Sequence, residues 1–188
     1  MPRHTSVADN PEVRVTIVTL DRHLNAATAR ARKRLEDSLP GLSLNLHAAA
    51  DWEHDSEALE SCKEDIGQSN VVVASMLFME QHVEPILPTL QARRDHCDAM
   101  IGCMSAGEVV RLTRMGGFDM NAPQSGPLAL LKRLRGRNKS TEKNNSGQSQ
   151  GAKQMAMLRR LPRILRFVPG TAQDVRAYFL TLQYWLAS

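Results

Sequence analysis

The sequence predicts an α/β fold: a flavodoxin-like parallel sheet of about four strands flanked by helices, followed by a basic helical extension. Three observations lead there. Four short apolar runs, at residues 13–20, 42–48, 70–75 and 99–104, each precede a segment whose apolar residues recur at helical spacing. Such a repeat, joined by right-handed crossovers, forms a parallel sheet with helices on both faces. After Phe118 the patterning gives way to polar and basic residues.

Residues 1–12 are polar and read as a flexible N-terminus. VRVTIVTL, at 13–20, alternates and is rich in β-branched residues, which suits a strand; Asp21 ends it. From His23, the positions Leu24, Ala27, Ala31, Leu35 and Leu39 form an apolar stripe opposite Arg30, Lys33, Arg34 and Asp37. Pro40-Gly41 stops that helix. Leu42, Leu44 and Leu46 alternate with Ser43, Asn45 and His47, the pattern of an edge or near-edge strand. Asp55 or Ser56 caps the next helix, whose narrow stripe is Leu59, Cys62 and Ile66 before Gly67.

The central strand begins at Asn70. Val83, Ile86, Leu87 and Leu90 then follow at helical spacing, interrupted by Pro85 and Pro88, so a short turn and a helix restarted at a proline are expected. Beyond the strand at 99–104, Ser105 and Glu108 have the S-x-x-E spacing of a capping box. The helix they open carries Val109, Leu112 and Thr113 on one side and stops at Gly116-Gly117. The simplest strand order is 2-1-3-4, and no fifth strand is legible.

The α/β domain therefore covers 13–120. Residues 121–136 read as a linker and short basic helix. Residues 137–152, RNKSTEKNNSGQSQGA, have no core-forming side chain and read as a disordered loop. Residues 153–188 read as a two-helix C-terminal extension. Its first helix sets Leu158, Leu161 and Leu165 against Arg159, Arg160, Arg163 and Arg166, with Pro162 as a kink. Its second has Asp174 in the first turn and Val175, Phe179, Leu182 and Leu186 on one face, while Tyr178, Tyr184 and Trp185 make a second face apolar. A free terminus apolar on two sides is a liability, so the chain reads as the front of something longer.

A chain of 188 residues, 42% of them hydrophobic, can bury one sizeable core and carry an appendage. There is no run of about twenty apolar residues, and the N-terminus lacks the apolar core of a signal peptide. A cytoplasmic protein without a transmembrane segment is expected. The three cysteines, Cys62, Cys97 and Cys103, suggest reduced thiols. The formal net charge of +4 is unevenly spread: residues 132–166 hold eleven Lys or Arg against Glu142, a balance of +10 that leaves −6 for the rest.

Candidate chemistry is sparse. His96, Cys97 and Cys103 suggest a metal cluster, but no second pair stands at zinc-finger spacing. Glu80, His82 and Glu84 offer carboxylate and imidazole to a hard divalent cation or to a proton transfer, though a solvated turn ahead of Pro85 also accounts for them. Residues 21–28, DRHLNAAT, stand where a phosphate loop would, yet contain no glycine. A phosphorelay receiver is disfavoured because Asp21 has no acidic neighbour and the third strand ends in Ala74-Ser75. The basic arm has only Phe167 for stacking and no nucleic-acid recognition motif. It suits an acidic protein surface or the carboxylates of an acidic ligand, through Arg159, Arg160, Arg163 and Arg166.

Two blocks, MLFMEQHVEPILPTLQARRDHCDAMIGCMSAGEVVRLTRMGGFDM and QMAMLRRLPRILRFVPGTAQDVRAYFLTLQYWLA, carry a resemblance. Over nearly all of 13–187 the chain resembles the N-terminal region of the large porphyrin-binding subunit of magnesium chelatase, in its bacteriochlorophyll-pathway form. The resemblance implies a subunit that binds protoporphyrin IX and receives magnesium while two ATPase-type partner subunits hydrolyse ATP. The family's large subunit is several times longer, and its porphyrin-contacting and catalytic residues are attributed to later regions. No catalytic residue or metal ligand is therefore expected here, cofactor-binding residues are unknown, and the isolated segment is expected to be inactive. Expected partners are the remainder of the large subunit, the two ATPase subunits and the porphyrin, with no nucleic acid. The alternatives are a stand-alone, non-catalytic interaction module with a basic arm, and the related cobalt chelatase large subunit.

Overall fold

The computed structural model describes residues 12–35, 38–121 and 171–187. The expectations for 1–11, for most of the linker, for the basic helices and for the 137–152 loop lie outside them. The chain divides into two units, Met1–Met115 and Gly116–Ser188.

In the first unit the four β-branched or leucine-rich runs are strands: β1 Val13–Thr19, β2 Leu42–Ala48, β3 Val71–Ser75 and β4 Ala99–Cys103. All four are parallel, with β1 between β2 and β3 and with β4 beyond β3. β2 lies at the edge of the sheet, as its single well-buried face suggests. The expectation of a purely parallel, four-stranded sheet is corrected by β5, Arg114–Met115, which pairs antiparallel with β4 through Ala99–Met115 and Met100–Arg114. A further two-residue strand, β6 Phe118–Asp119, opens the second unit. Six strands are thus present among the described residues, and the sheet is mixed.

β5 was illegible because its cause lies in tertiary hydrogen bonding. The helix after β4, here α5, is only Gly107–Arg111 and does not run on to Gly116-Gly117. Thr113 does not continue its stripe. Its hydroxyl accepts the Gly102 N–H at 3.0 Å and donates to the Gly102 carbonyl at 3.1 Å, which returns the chain to β4. Arg114 fixes the result by donating to the carbonyls of Arg94 (3.3 Å) and Cys97 (2.9 Å).

One face of the sheet, with Val18, Val72, Ala74 and Met100, holds the apolar core. Packed there are Cys62 and Ile66 of α2 (Ser56–Gln68), Val83 of α3 (Glu80–Val83), Leu90 of α4 (Leu87–Arg93) and Val109 of α5. Asp55 caps α2 by accepting the Ala58 N–H at 3.0 Å. Pro88 stands in the first turn of α4, so the helix does restart at a proline. Trp52, just beyond a single 3-10 turn at Ala49–Asp51, also enters this core, which the sequence pattern did not indicate.

The first helix departs from expectation. Chain entry is a 3-10 turn at Arg22–Leu24, with Asp21 accepting the His23 N–H at 3.0 Å, and α1 proper is Asn25–Leu35. No α1 residue is fully buried; Ala31 and Leu35 are half-buried, whereas Ala27 and Leu39 are exposed. Alanines at two stripe positions give the helix little to bury, and Arg32 holds it instead by donating to the Leu44 carbonyl of β2.

In the second unit the last helix, α6, spans Thr171–Ala187. Its buried ring is Tyr178, not Phe179, and Tyr178 lies 5.2 Å from the Phe118 ring. Asp174 accepts the Gly117 N–H at 2.9 Å. Gly116 has φ +56° beside it, and a Cβ there would stand 2.8 Å from the Asp174 carboxylate. The side chains of Trp185 and Leu186 lie outside the described residues.

Candidate functional site

The two edges of the parallel sheet are built differently. At the amino edge, polar groups are matched. Asn70 accepts the Arg14 N–H on its side chain at 2.9 Å, its N–H donates to the Arg14 carbonyl at 2.8 Å, and its carbonyl accepts from Asp98 and Ala99. Arg93 donates to the Ser69 carbonyl at 2.9 Å and Arg94 to the Leu112 carbonyl at 3.1 Å. Thr16 and Ser69 share a hydrogen bond of 2.5 Å.

The carboxyl edge is not so matched. Strand register aligns Thr19 with Ala48 and Ser75 with Cys103, and the step after the Val18–Ala74 pair sets Thr19 beside Ser75. Thr19, Ser75 and Cys103 therefore form one row on one face. Thr19 and Ser75 are 0% exposed, yet neither hydroxyl makes a well-formed hydrogen bond, and Ser75 has only the weakly polar Cys103 thiol to turn to. The Trp52 Nε1 and the His82 Nδ1 are likewise buried and unpartnered. All four of these groups among the described residues stand at the carboxyl end of β1 or β3, or in a segment that follows β2 or β3. Buried polar groups without partners are uncommon and call for an explanation by water, ligand or partner. In open parallel sheets the carboxyl edge is also where ligands and partners are received.

Backbone conformation marks the same edge. Met76 and Met104, the residues directly after β3 and β4, have φ of +62° and +48°. This left-handed region costs a non-glycine residue about 1 kcal/mol or more. The two exits are tied together: the Leu77 N–H donates to Ser105 Oγ at 3.1 Å, and the Ala106 N–H donates to the Leu77 carbonyl at 2.7 Å. Ser105 also donates to the Cys103 carbonyl at 3.0 Å. The capping box expected at Ser105 and Glu108 is thus absent; the N-cap of α5 is Ala106, with no side-chain cap, because the Ser105 hydroxyl is engaged by the neighbouring loop. Leu77 is fully buried, whereas the two residues after it face solvent, Phe78 at 59% exposure and Met79 at 52%.

The other sequence candidates do not assemble. Cys97 precedes β4 and Cys103 ends it, so the pair lies at opposite ends of a strand whose residues rise about 3.3 Å each. Burial raises both thiols, and at Cys103 the adjacent Ser75 hydroxyl opposes the rise only in part. Burial also pushes Cys62 up to about 12. None of these thiols is an activated nucleophile or a ready thiolate ligand. Among the described residues no group of three His, Cys, Asp or Glu could hold a metal ion. Glu80 and Glu84 are exposed on and after α3, and His82 is half-buried between them. Asp21 pairs with His23, and Arg22 with Asp51. Arg159, Arg160, Arg163 and Arg166 lie outside the described residues.

What remains at the carboxyl edge is an exposed apolar pair, Phe78 and Met79, and the segments that leave β3 and β4 also carry the exposed carboxylates Glu80, Glu84 and Glu108. No Lys or Arg occurs in 76–92 or 104–110. Among the described residues this edge brings together no metal-binding group of His, Cys, Asp or Glu, and the fold is that of an α/β domain with a mixed sheet. The chain belongs to the family described as a domain of unknown function, DUF3479, whose model matches residues 14–179. It is 49% identical over 179 residues to the magnesium-chelatase H subunit of Cereibacter sphaeroides, covering 95% of this chain and 14% of that protein. It is 45% identical over 172 residues to the magnesium-chelatase H subunit of Rhodobacter capsulatus, covering 92% and 14%. To the chloroplastic magnesium-chelatase ChlH subunit of Oryza sativa subsp. japonica it is 29% identical over 182 residues, covering 94% and 12%. The chain thus spans about 14% of the length of the two bacterial relatives. No described helix is long and apolar enough to cross a membrane.

Proposed function

We propose that these residues form the N-terminal segment of the large, porphyrin-binding subunit of a magnesium chelatase, acting in the cytoplasm in bacteriochlorophyll synthesis. The whole enzyme would be an ATP-dependent ligase that inserts magnesium into protoporphyrin IX. Two ATPase-type subunits would hydrolyse the ATP. The observation that carries this reading is the 49% identity to the Cereibacter sphaeroides chelatase subunit, which extends over 95% of the chain.

Within that assembly the segment has a positioning role. Its parallel portion reads as flavodoxin-like, with a domain at 13–120 and a basic extension at 153–188, and magnesium and porphyrin are substrates handled by the rest of the subunit. Removing two pyrrole protons needs a base, and holding a strongly hydrated ion needs several oxygen groups together. Its buried thiols are raised and its carboxylates at the carboxyl edge face solvent, which suits docking better than chelation.

The test is reconstitution. The full-length product of the reading frame, mixed with both ATPase subunits, protoporphyrin IX, magnesium and ATP, is expected to generate magnesium protoporphyrin fluorescence. A full-length product that inserts cobalt into a corrin precursor instead, or that inserts no metal, overturns the reading.

A further inference from the structure

We propose that the tip formed by Phe78 and Met79 is a docking surface for the remainder of the same large subunit, and that it meets a patch apolar at the centre and basic at the rim. This rests on reading the chain as a chelatase segment. The two side chains are exposed at 59% and 52%, and the backbone beneath them is held from both sides. Leu77 is bonded to Ser105 and Ala106, and the Met79 carbonyl accepts the N–H groups of His82 (2.9 Å) and Val83 (3.1 Å). An apolar tip held in place loses little conformational freedom on binding. The two segments that leave β3 and β4 carry the exposed carboxylates Glu80, Glu84 and Glu108 and no Lys or Arg in 76–92 or 104–110, so a surface that meets this edge is matched best by a basic rim.

Area selects the occupant. Two partly exposed side chains of this size offer roughly 300 Å² at most, or about 600 Å² counted over both partners, which is below the ~1,000 Å² of a stable interface between separate proteins. A covalently linked partner needs far less, because a tether supplies an effective concentration in about the millimolar range. Since the chain spans 14% of its bacterial relatives, most of such a subunit is available as a tethered partner.

The test is oxidation by hydrogen peroxide followed by peptide mass spectrometry, comparing the 188-residue chain with the full-length product. Met79 should form sulfoxide at least about five-fold more slowly in the full-length protein, while Met100, 1% exposed, stays slow in both. Equal Met79 rates overturn the proposal, as does protection that appears only when the ATPase subunits are added. The double reversal Glu80→Lys with Glu84→Lys in the full-length protein should return Met79 to the rate of the short chain; unchanged protection rules out the basic rim. Chelation is assayed on the same preparation. An active chelatase with Met79 unprotected fails the docking proposal alone, whereas a protected Met79 in a protein that inserts no magnesium fails the functional reading alone.

Discussion

Two glycines show how unevenly the sequence discloses its constraints. The sequence sets Gly67 after a helical stripe and Gly102 inside a strand, but it does not show that a Cβ at Gly102 would overlap the Val109 carbonyl, whereas one at Gly67 meets nothing within 4 Å. Gly102→Ala should therefore destabilise by roughly 1–3 kcal/mol through backbone displacement, and Gly67→Ala should stabilise by about 0.5 kcal/mol or more through chain entropy. Urea denaturation measures both, and equal effects would refute the close approach. Thr113 was equally opaque, since its spacing from Val109 suits a helical stripe. Thr113→Val strands two buried backbone groups of Gly102 and should cost about 2 kcal/mol, with Thr113→Ser losing much less. Cys62 adds a pH dependence. Its thiol is raised from 9.0 to about 12 when folded, so between those values the native state holds a proton that the unfolded state has released. Stability must then fall as pH rises through that window, by at most about 1.4 kcal/mol per pH unit for this thiol. Cys62→Ala should flatten that slope in alkaline urea titrations, and an unchanged slope would contradict it.

Elements were legible where one local signal sufficed. The four parallel strands announced themselves through β-branched or alternating runs, and Asp55 through its place before an apolar stripe. Asp55→Ala should cost about 1 kcal/mol, the usual worth of such a cap. The capping box at Ser105 and Glu108 had an equally good local pattern but a competing long-range partner, the Leu77 N–H. Substitution there is predicted to act across two loops: Ser105→Ala should speed hydrogen exchange at Leu77 while leaving the first turn of α5 unchanged. Faster exchange in α5 alone would restore the capping box. The site was least legible for the same reason. The row of Thr19, Ser75 and Cys103 exists only once the register of three strands is known, and Phe78 sits in a stretch whose spacing alone does not tell exposed from buried.

Across the whole molecule, charge was the clearest message in the sequence, with +10 concentrated in 132–166 and −6 elsewhere. The exposed carboxylates at the carboxyl edge belong to the acidic remainder, so the edge proposed for docking has the sign that attracts a basic surface. The chain spans about 14% of the length of its bacterial relatives, and under the proposed reading it serves such a subunit by placing other parts. We propose that these residues position other parts of the subunit and do not themselves chelate. Magnesium protoporphyrin fluorescence tests it most directly, with the isolated 188-residue chain, both ATPase subunits, protoporphyrin IX, magnesium and ATP in one mixture. The expected signal equals that of the no-protein control, while the full-length product in the same mixture fluoresces; a signal above the control from the 188 residues alone would contradict the account.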